Sequence, residues 1–165
     1  MLRQVLMLGA LIAVASGTAS AQATVRVETA HLEGPRQLQE QTQAAVIRNY
    51  LQAWQSIRIA LDQNRVDLLD GGFAGTAREK LADTIQQQAA LGIHTRYEDK
   101  AHDLQIVFYS PDGLSIQLMD DVEYDVQVLE GEKLETTQHV RARYVAVLTP
   151  AEVRWRVRVL QAQSE

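Results

Sequence analysis

Between Leu118 and Val126 the chain reads LMDDVEYDV, four acids in six positions. Carboxylates at that density serve one of three chemistries. They ligate a hard cation, they supply a general acid or base with its companions, or they form the wet face of a strand. The flanking residues separate these cases. Leu114, Ile116, Leu118, Asp120, Val122, Tyr124, Val126 and Val128 make one row, and Ser115, Gln117, Met119, Asp121, Glu123, Asp125 and Gln127 the other. A period of two is that of a strand, so Asp121, Glu123 and Asp125 share a polar face. Same-side neighbours on a strand stand about 6.6–7 Å apart, too far for all three to close on one ion. No glycine turn wraps the segment as a calcium loop requires. Arg141 and Arg143, then Arg154, Arg156 and Arg158, fall on the polar rows of the segments that follow. A solvated outer charge row is expected, each cross-strand pair contributing roughly 0.2–1 kcal/mol, and no metal site. An arginine row can also receive an acidic partner, although the neighbouring acids oppose it.

Asp120 is the exception, an acid in the apolar row. A single bulge would shift the phase of everything after it, yet the apolar phase is even on both sides. A carboxyl on an inner face suits a general acid or base. It equally suits a rim position in water, a bond to an inward polar group, or a bend in a long strand. Tyr50 and Trp54 lie on the apolar stripe of a helix, and Tyr124, Tyr144 and Trp155 fall in inward rows. Tyr50, Trp54, Tyr124 and Tyr144 are therefore the candidate ligand-contacting side chains, with Tyr50 or Tyr144 as hydrogen-bond donor beside a catalytic Asp120. His94, His102 and His139 lack the i,i+4 spacing of a helical ligand pair and are expected to face solvent or cap locally. There is no nucleophile elbow and no glycine-rich phosphate loop. Nucleophilic, phosphoryl-transfer and dinucleotide chemistry are unsupported, and no cofactor is expected.

The elements that must position these residues follow from the periodicity. Pro35 suits the first turn of a helix, and from Leu38 the chain reads as helical. Val46, Tyr50, Trp54, Ile57 and Leu61 recur at three- and four-residue spacing. Asn64 stands where a short turn carrying Val66, Leu68 and Leu69 would be capped. Thr76 and Glu79 have capping-box spacing before a second helix that stops at Gly92. After His94 the period changes to two. Leu104, Ile106 and Phe108 alternate with polar neighbours, Ser110–Gly113 turns the chain, and Leu114–Leu129 alternates. Turns at Glu130–Lys133 and Thr149–Glu152 then set off two further strands. Short turns between successive strands imply an antiparallel meander of four strands or more, with the helices on one face.

Helices followed by a curved meander resemble the NTF2-like cone, an α+β fold also seen in ketosteroid isomerases. The residues that carry the resemblance are AVIRNYLQAWQSIRIAL at 45–61, HTRYED at 94–99, LQIVFY at 104–109, Tyr124, and the pair VRARYVAVL and VRWRVRVL. They are similar to the IMS-type NTF2-like domains of chloroplast and cyanobacterial division proteins, over roughly residues 40–162. The resemblance implies the fold. For function it implies a non-catalytic binding or scaffold domain, since such relatives mostly lack an assigned chemistry. The alternative it carries is a cofactor-independent isomerase or lyase using Asp120 as general acid or base.

The address is written at the N-terminus. Arg3 precedes an apolar run, Val5–Ala15, and small residues lead to Ala19-Ser20-Ala21. That is the pattern of a secretory signal peptide over 1–21, too short to span a bilayer. Expected beyond it are a flexible lead-in over 22–36, one domain over 37–162 and a tail at 163–165, placed in the periplasm or secreted. The net charge of −5 becomes one unit more negative without Arg3, which argues against nucleic acid or anionic lipid as partner. With no cysteine, stability must come from the core rather than from disulfides. The expected partners are a small apolar molecule or a protein, including a second copy as a homodimer. Produced with its leader in a bacterial host, the mature chain should begin at Gln22, or at Thr24 after cleavage beyond Ala23. Intact-mass measurement decides, and a product retaining Met1 refutes the leader.

Overall fold

The computed structural model describes residues 22–30, 32 and 34–163. The proposed leader and the last two residues lie outside that set. Strand β1 (Thr24–Val27) precedes helix α1 (Glu40–Gln63), a short 3-10 turn (Val66–Leu69) and helix α2 (Gly75–Ala90). Four long strands follow: β2 (Ile93–Tyr109), β3 (Ile116–Glu130), β4 (Lys133–Pro150) and β5 (Trp155–Gln163). They form one sheet in sequence order, antiparallel from β2 to β5. The helices pack on one face, giving the expected α+β architecture. No helix among the described residues is long and apolar enough to cross a membrane.

Local chemistry explains most element ends. In α1, Val46, Tyr50, Ala53, Trp54, Ile57, Ala60 and Leu61 are buried, the stripe that a 3.6-residue period requires. Asn64 closes the helix in the left-handed region, φ 53°, where asparagine is tolerated better than most residues. Its Nδ2 donates to the Ile93 carbonyl at 2.9 Å, so it caps α1 and ties it to β2 rather than starting the next turn. Gly92, φ 71°, ends α2 with its N–H on the Ala89 carbonyl.

Four local expectations are corrected. Thr24–Val27, expected within the lead-in, forms β1 because it finds a parallel partner in Ala101–Leu104 of β2. Helix α1 begins at Glu40, not near Pro35. The residues before it instead lay Arg36 over the Tyr109 ring, 4.8 Å from its centroid, with Nη1 donating to the Pro111 carbonyl. Thr76 is not an N-cap. Ala74 occupies that position, and the Thr76 hydroxyl donates to the Arg158 carbonyl, docking α2 on β5. Phe108 does not continue the inward row of Leu104 and Ile106. A register shift between Ile106 and Phe108 turns it outward, 39% exposed, and sends Tyr109 into the core.

The segment after the 3-10 turn approaches α1 closely. A Cβ placed on Gly72 would stand 2.9 Å from the Ala53 Cβ and 3.0 Å from its Cα, and backbone cannot swing away as a side chain would. Gly72 also accepts the Val157 N–H through its carbonyl, fixing this segment against β5. Gly72→Ala should therefore cost about 1–3 kcal/mol by overpacking, measured by urea unfolding. Wild-type stability in that variant would contradict the close packing of Gly72 on Ala53.

Candidate functional site

Asp120 is fully buried, with 0% exposure. The uninterrupted alternation of β3 brings it there. It pairs with Leu104 on one side and Tyr144 on the other, between the inward residues Leu118 and Val122. Two groups satisfy one of its oxygens. The Tyr50 hydroxyl donates to Oδ2 at 2.8 Å, and His102 Nδ1 donates to the same atom at 2.8 Å. Oδ1 has no partner.

His102 is not solvent-facing, as spacing alone implied; it is 3% exposed. The cause is a second irregularity in β2. Asp99 pairs with Tyr124 and Ala101 with Glu123, so Lys100 is an extra, unpaired residue. A bulge reverses the phase of a strand. Here it turns an odd residue, Asp99, and an even one, His102, to the same inner face. Their contact extends the network: His102 Nε2 lies 3.9 Å from Asp99 Oδ2. Trp54 Nε1 donates to Asp99 Oδ1 at 2.9 Å, and Arg58 Nη1 lies 3.3 Å from Asp99 Oδ2. Arg58 Nε also donates to the Tyr97 carbonyl. A continuous polar chain thus runs from Tyr50 through Asp120, His102 and Asp99 to Trp54 and Arg58. Two carboxyls, one imidazole and one guanidinium carry formal charges that cancel when all four are ionised.

Burial works against the charged forms, and the partners work for them. Desolvation alone would lower the His102 pKa, but the two carboxylates overcome it and hold the imidazolium up to about 9. Desolvation pushes Asp99 up, and His102, Trp54 and Arg58 more than reverse that, leaving it below its ordinary value. The Tyr50 hydroxyl is raised well above 10, first by burial and then by Asp120. It stays a donor.

The candidate aromatic residues converge on this network. Trp54 stands edge-on to His102, Tyr124 and Tyr144, with centroids 5.3, 6.0 and 5.4 Å away. The Tyr124 and Tyr144 hydroxyls share a hydrogen bond of 3.1 Å. Tyr50, Trp54 and Tyr124 are buried and Tyr144 is partly so. The nearest concavity lies at the edge of this cluster: a cleft of about 490 Å³ between α1 and the start of β2, lined by Arg58, Ile59, Arg96, Tyr97 and Gln127 among others. Arg58 and Tyr97 link it to the buried chain.

The outer row behaves differently. Asp121 accepts two bonds of 2.6 Å from Arg143, and Glu123 stands 3.2 Å from Arg141. His139 bridges Asp125 and Glu123 at 2.7 and 3.1 Å, and Lys100 approaches Asp125. Arg154 and Arg158 do not join this row: they pack at Gly71 and Gly75, where the chain passes beside β5. His94 ties the end of α1 to the β3–β4 turn, bonding Asp62 at 2.9 Å and the Gly131 carbonyl at 2.8 Å. No group of three or more His, Cys, Asp or Glu among the described residues is placed to hold a metal ion.

The network makes stability depend on pH in a definite direction. His102 binds its proton more tightly folded than unfolded. Its contribution is therefore complete below pH 6.5 and lost as the pH rises through about 9. Asp99 is the reverse case, contributing above its ordinary 3.8 and losing that contribution as the pH falls through its depressed folded value. Between pH 6.5 and 9.5 the Tm should fall, and His102→Gln should flatten that limb while lowering Tm throughout. An unchanged alkaline slope in the variant would place the titration elsewhere.

No protein-family model and no curated protein matches the sequence. Solved structures do match. The intermembrane space region of the chloroplast protein ARC6 aligns with a TM-score of 0.62 and 12% identity, covering 79% of this chain and 100% of that one. A putative scytalone dehydratase from Novosphingobium aromaticivorans gives 0.53 at 13% identity, covering 76% and 89%. A protein from Catenulispora acidiphila in complex with S-DNPA gives 0.50 at 16%, covering 73% and 93%. At such identities the likeness is one of fold. Two helices laid on a bent, open sheet, with a polar chain buried between them, make this an NTF2-like α+β cone.

Proposed function

We propose that this is an exported, non-catalytic NTF2-like domain that binds a small apolar molecule or a protein partner. In this reading the Asp120 network locks the fold and is not a reaction centre. The observation that carries it is the burial of Asp120 at 0% exposure, with its Oδ2 already bonded to Tyr50 and His102. A reacting carboxylate must touch its substrate. To reach this one, a substrate would have to displace Tyr50, Trp54 or His102, each buried and bonded in turn. The aromatic residues that would line an open cone pack on one another instead. Binding then falls to the outside, and the cleft beside Arg58 and Tyr97 is within the 300–1,000 Å³ usual for small ligands. The leader pattern at the N-terminus supports export. A fold neighbour in complex with a small molecule, and another that is one region of a larger chloroplast protein, agree with either kind of partner.

One observation favours the second reading, a cofactor-independent isomerase or lyase. Asp120 Oδ1 lacks a partner, and a substrate donor would complete it, with Tyr50 or Tyr144 as the companion hydroxyl. Asp120→Asn separates the two. A structural lock loses on the order of 3 kcal/mol when one side of a buried pair is removed, roughly 10 °C in Tm for a domain of this size. It keeps its affinity for whichever apolar ligand raises the wild-type Tm in a panel. A variant with the wild-type Tm and lost binding or turnover would instead make Asp120 the acid or base.

A further inference from the structure

The long hairpin of β3 and β4 extends beyond the strand that should cover it. β4 pairs with β3 from Lys133 to Leu148, but with β5 only from Arg143 to Pro150. On that flank, residues 133–142 have no strand partner among the described residues, and no other backbone hydrogen bond reaches them. Natural sheets guard such edges with bulges, charges and proline. Here the guard is partial. A register shift leaves Glu135 unpaired, and Lys133 stands beside it. From Thr136 to Ala142 the ladder is regular and contains no proline.

The two faces of this open stretch differ in chemistry. On the inner face, Val140 is half-buried against the core, followed by Tyr144, which pairs with Ala162 of β5. On the outer face β4 presents His139, Arg141 and Arg143. His139 and Arg141 pair with Asp125 and Glu123 of β3, the side away from the open edge. A strand laid along β4 therefore meets the bases first. The outer face carries a hollow of about 990 Å³ that spans β2 to β4, lined by Arg141, Arg143 and Gln163 together with the acids Asp103, Asp121 and Glu123. Gln163 of β5 pairs with Arg143, so an added strand would continue the line of β5.

We propose that Thr136–Ala142 is a strand-addition site for an extended peptide whose side chains alternate between acidic and apolar. The backbone ladder supplies affinity, the apolar residues fall on Val140 and Ala142, and the acidic ones on His139 and Arg141. A second copy of this chain fits less well. Full antiparallel overlap of Thr136–Ala142 with itself offers Arg141 only Thr137 and His139 only His139, with no acid for either, and parallel overlap sets Arg141 beside Arg141, like charges that repel. The proposal rests on the binding-domain reading and names the partner's chemistry. It stands or falls apart from the Asp120→Asn result, because neither the edge nor its test involves that residue.

The probe is a labelled synthetic peptide of about seven residues, the length of the regular edge, alternating glutamate and valine. Controls are the lysine–valine counterpart and a peptide of the same composition with its glutamates and valines in separate blocks. Fluorescence anisotropy on the mature chain should show saturable binding of the first, at least about tenfold tighter than either control and weakened by salt. Hydrogen exchange should show new protection at 136–142. Neighbouring residues on a strand direct their N–H groups to opposite sides, so of Thr137→Pro and Gln138→Pro one spares the β3 ladder. The variant that keeps its Tm should lose binding, and Arg141→Glu should weaken it about tenfold. Equal binding of the controls, or no protection at 136–142 under saturation, overturns the proposal. So does an edge already protected in a peptide-free protein that sediments as a dimer.

Discussion

A carboxylate without solvent has to be held by donors, and the bonds that hold Asp120 connect most of this fold. Tyr50 comes from α1, His102 from β2 and Asp120 from β3. Asp99, Trp54 and Arg58 then fasten α1 to β2 a second and third time. Taking a charge out of water costs several kcal/mol even after relaxation. That cost is met only when opposite charges and hydrogen bonds are supplied in full. Two carboxyls balanced by His102 and Arg58 meet the requirement in charge, while Asp120 Oδ1 is left without a hydrogen bond among the described residues. Such a network adds little net stability over apolar packing, but its partial loss is costly. Its consequence is geometrical: α1 cannot slide or rotate on the sheet without exposing an unpaired charge to an apolar interior.

The outer face shows the same residue types doing weaker work. Arg143 on Asp121 and Arg141 on Glu123 are as well aligned as the inner pairs, yet they lie in water. Exposed pairs of this kind contribute up to about 1 kcal/mol and are screened by salt. What they fix is sign and position. Acids occupy the middle of the sheet and bases its β4 margin, so the face has a direction along which an added chain can be read.

Much of this was legible in the sequence where a strand keeps its period. β3 alternates without interruption from Ile116 to Val128, and so the division of its acids into three outer and one inner was readable from the residues. The helical stripe of α1, with Tyr50 and Trp54 on it, was equally plain. β2 was not legible. Bulges at Lys100 and Val107 leave no mark in composition, and each reverses which residues face the core. They put Asp99 and His102 together on the inside and move Phe108 out. A signal was present all the same: an acid in an inward row of β3 requires donors, and the strand expected beside it contains a histidine. Satisfying Asp120 would have drawn His102 inward whatever the local phase. β1 carried no signal of its own, because four exposed residues become a strand only when β2 offers an edge. Thr76 had the capping spacing but a stronger use for its hydroxyl on β5.

On the proposed reading, closing the interior around Asp120 moves recognition to the margins. Inside the cone Trp54 packs edge-on to Tyr124 and Tyr144, whereas both ends of the sheet stay unfinished. At the start of β2, Arg58 reaches from the sealed network into an open cleft. There its guanidinium, holding Asp99 on one side, still meets solvent on the other. Along β4, the backbone groups of Thr136 to Ala142 that point away from β3 have no partner strand among the described residues. Both places lie on regular secondary structure, the arrangement that preserves geometry for binding with little ordering cost. On the proposed reading the sealed carboxylate serves recognition indirectly, by tying α1, β2 and β3 together beneath the cleft.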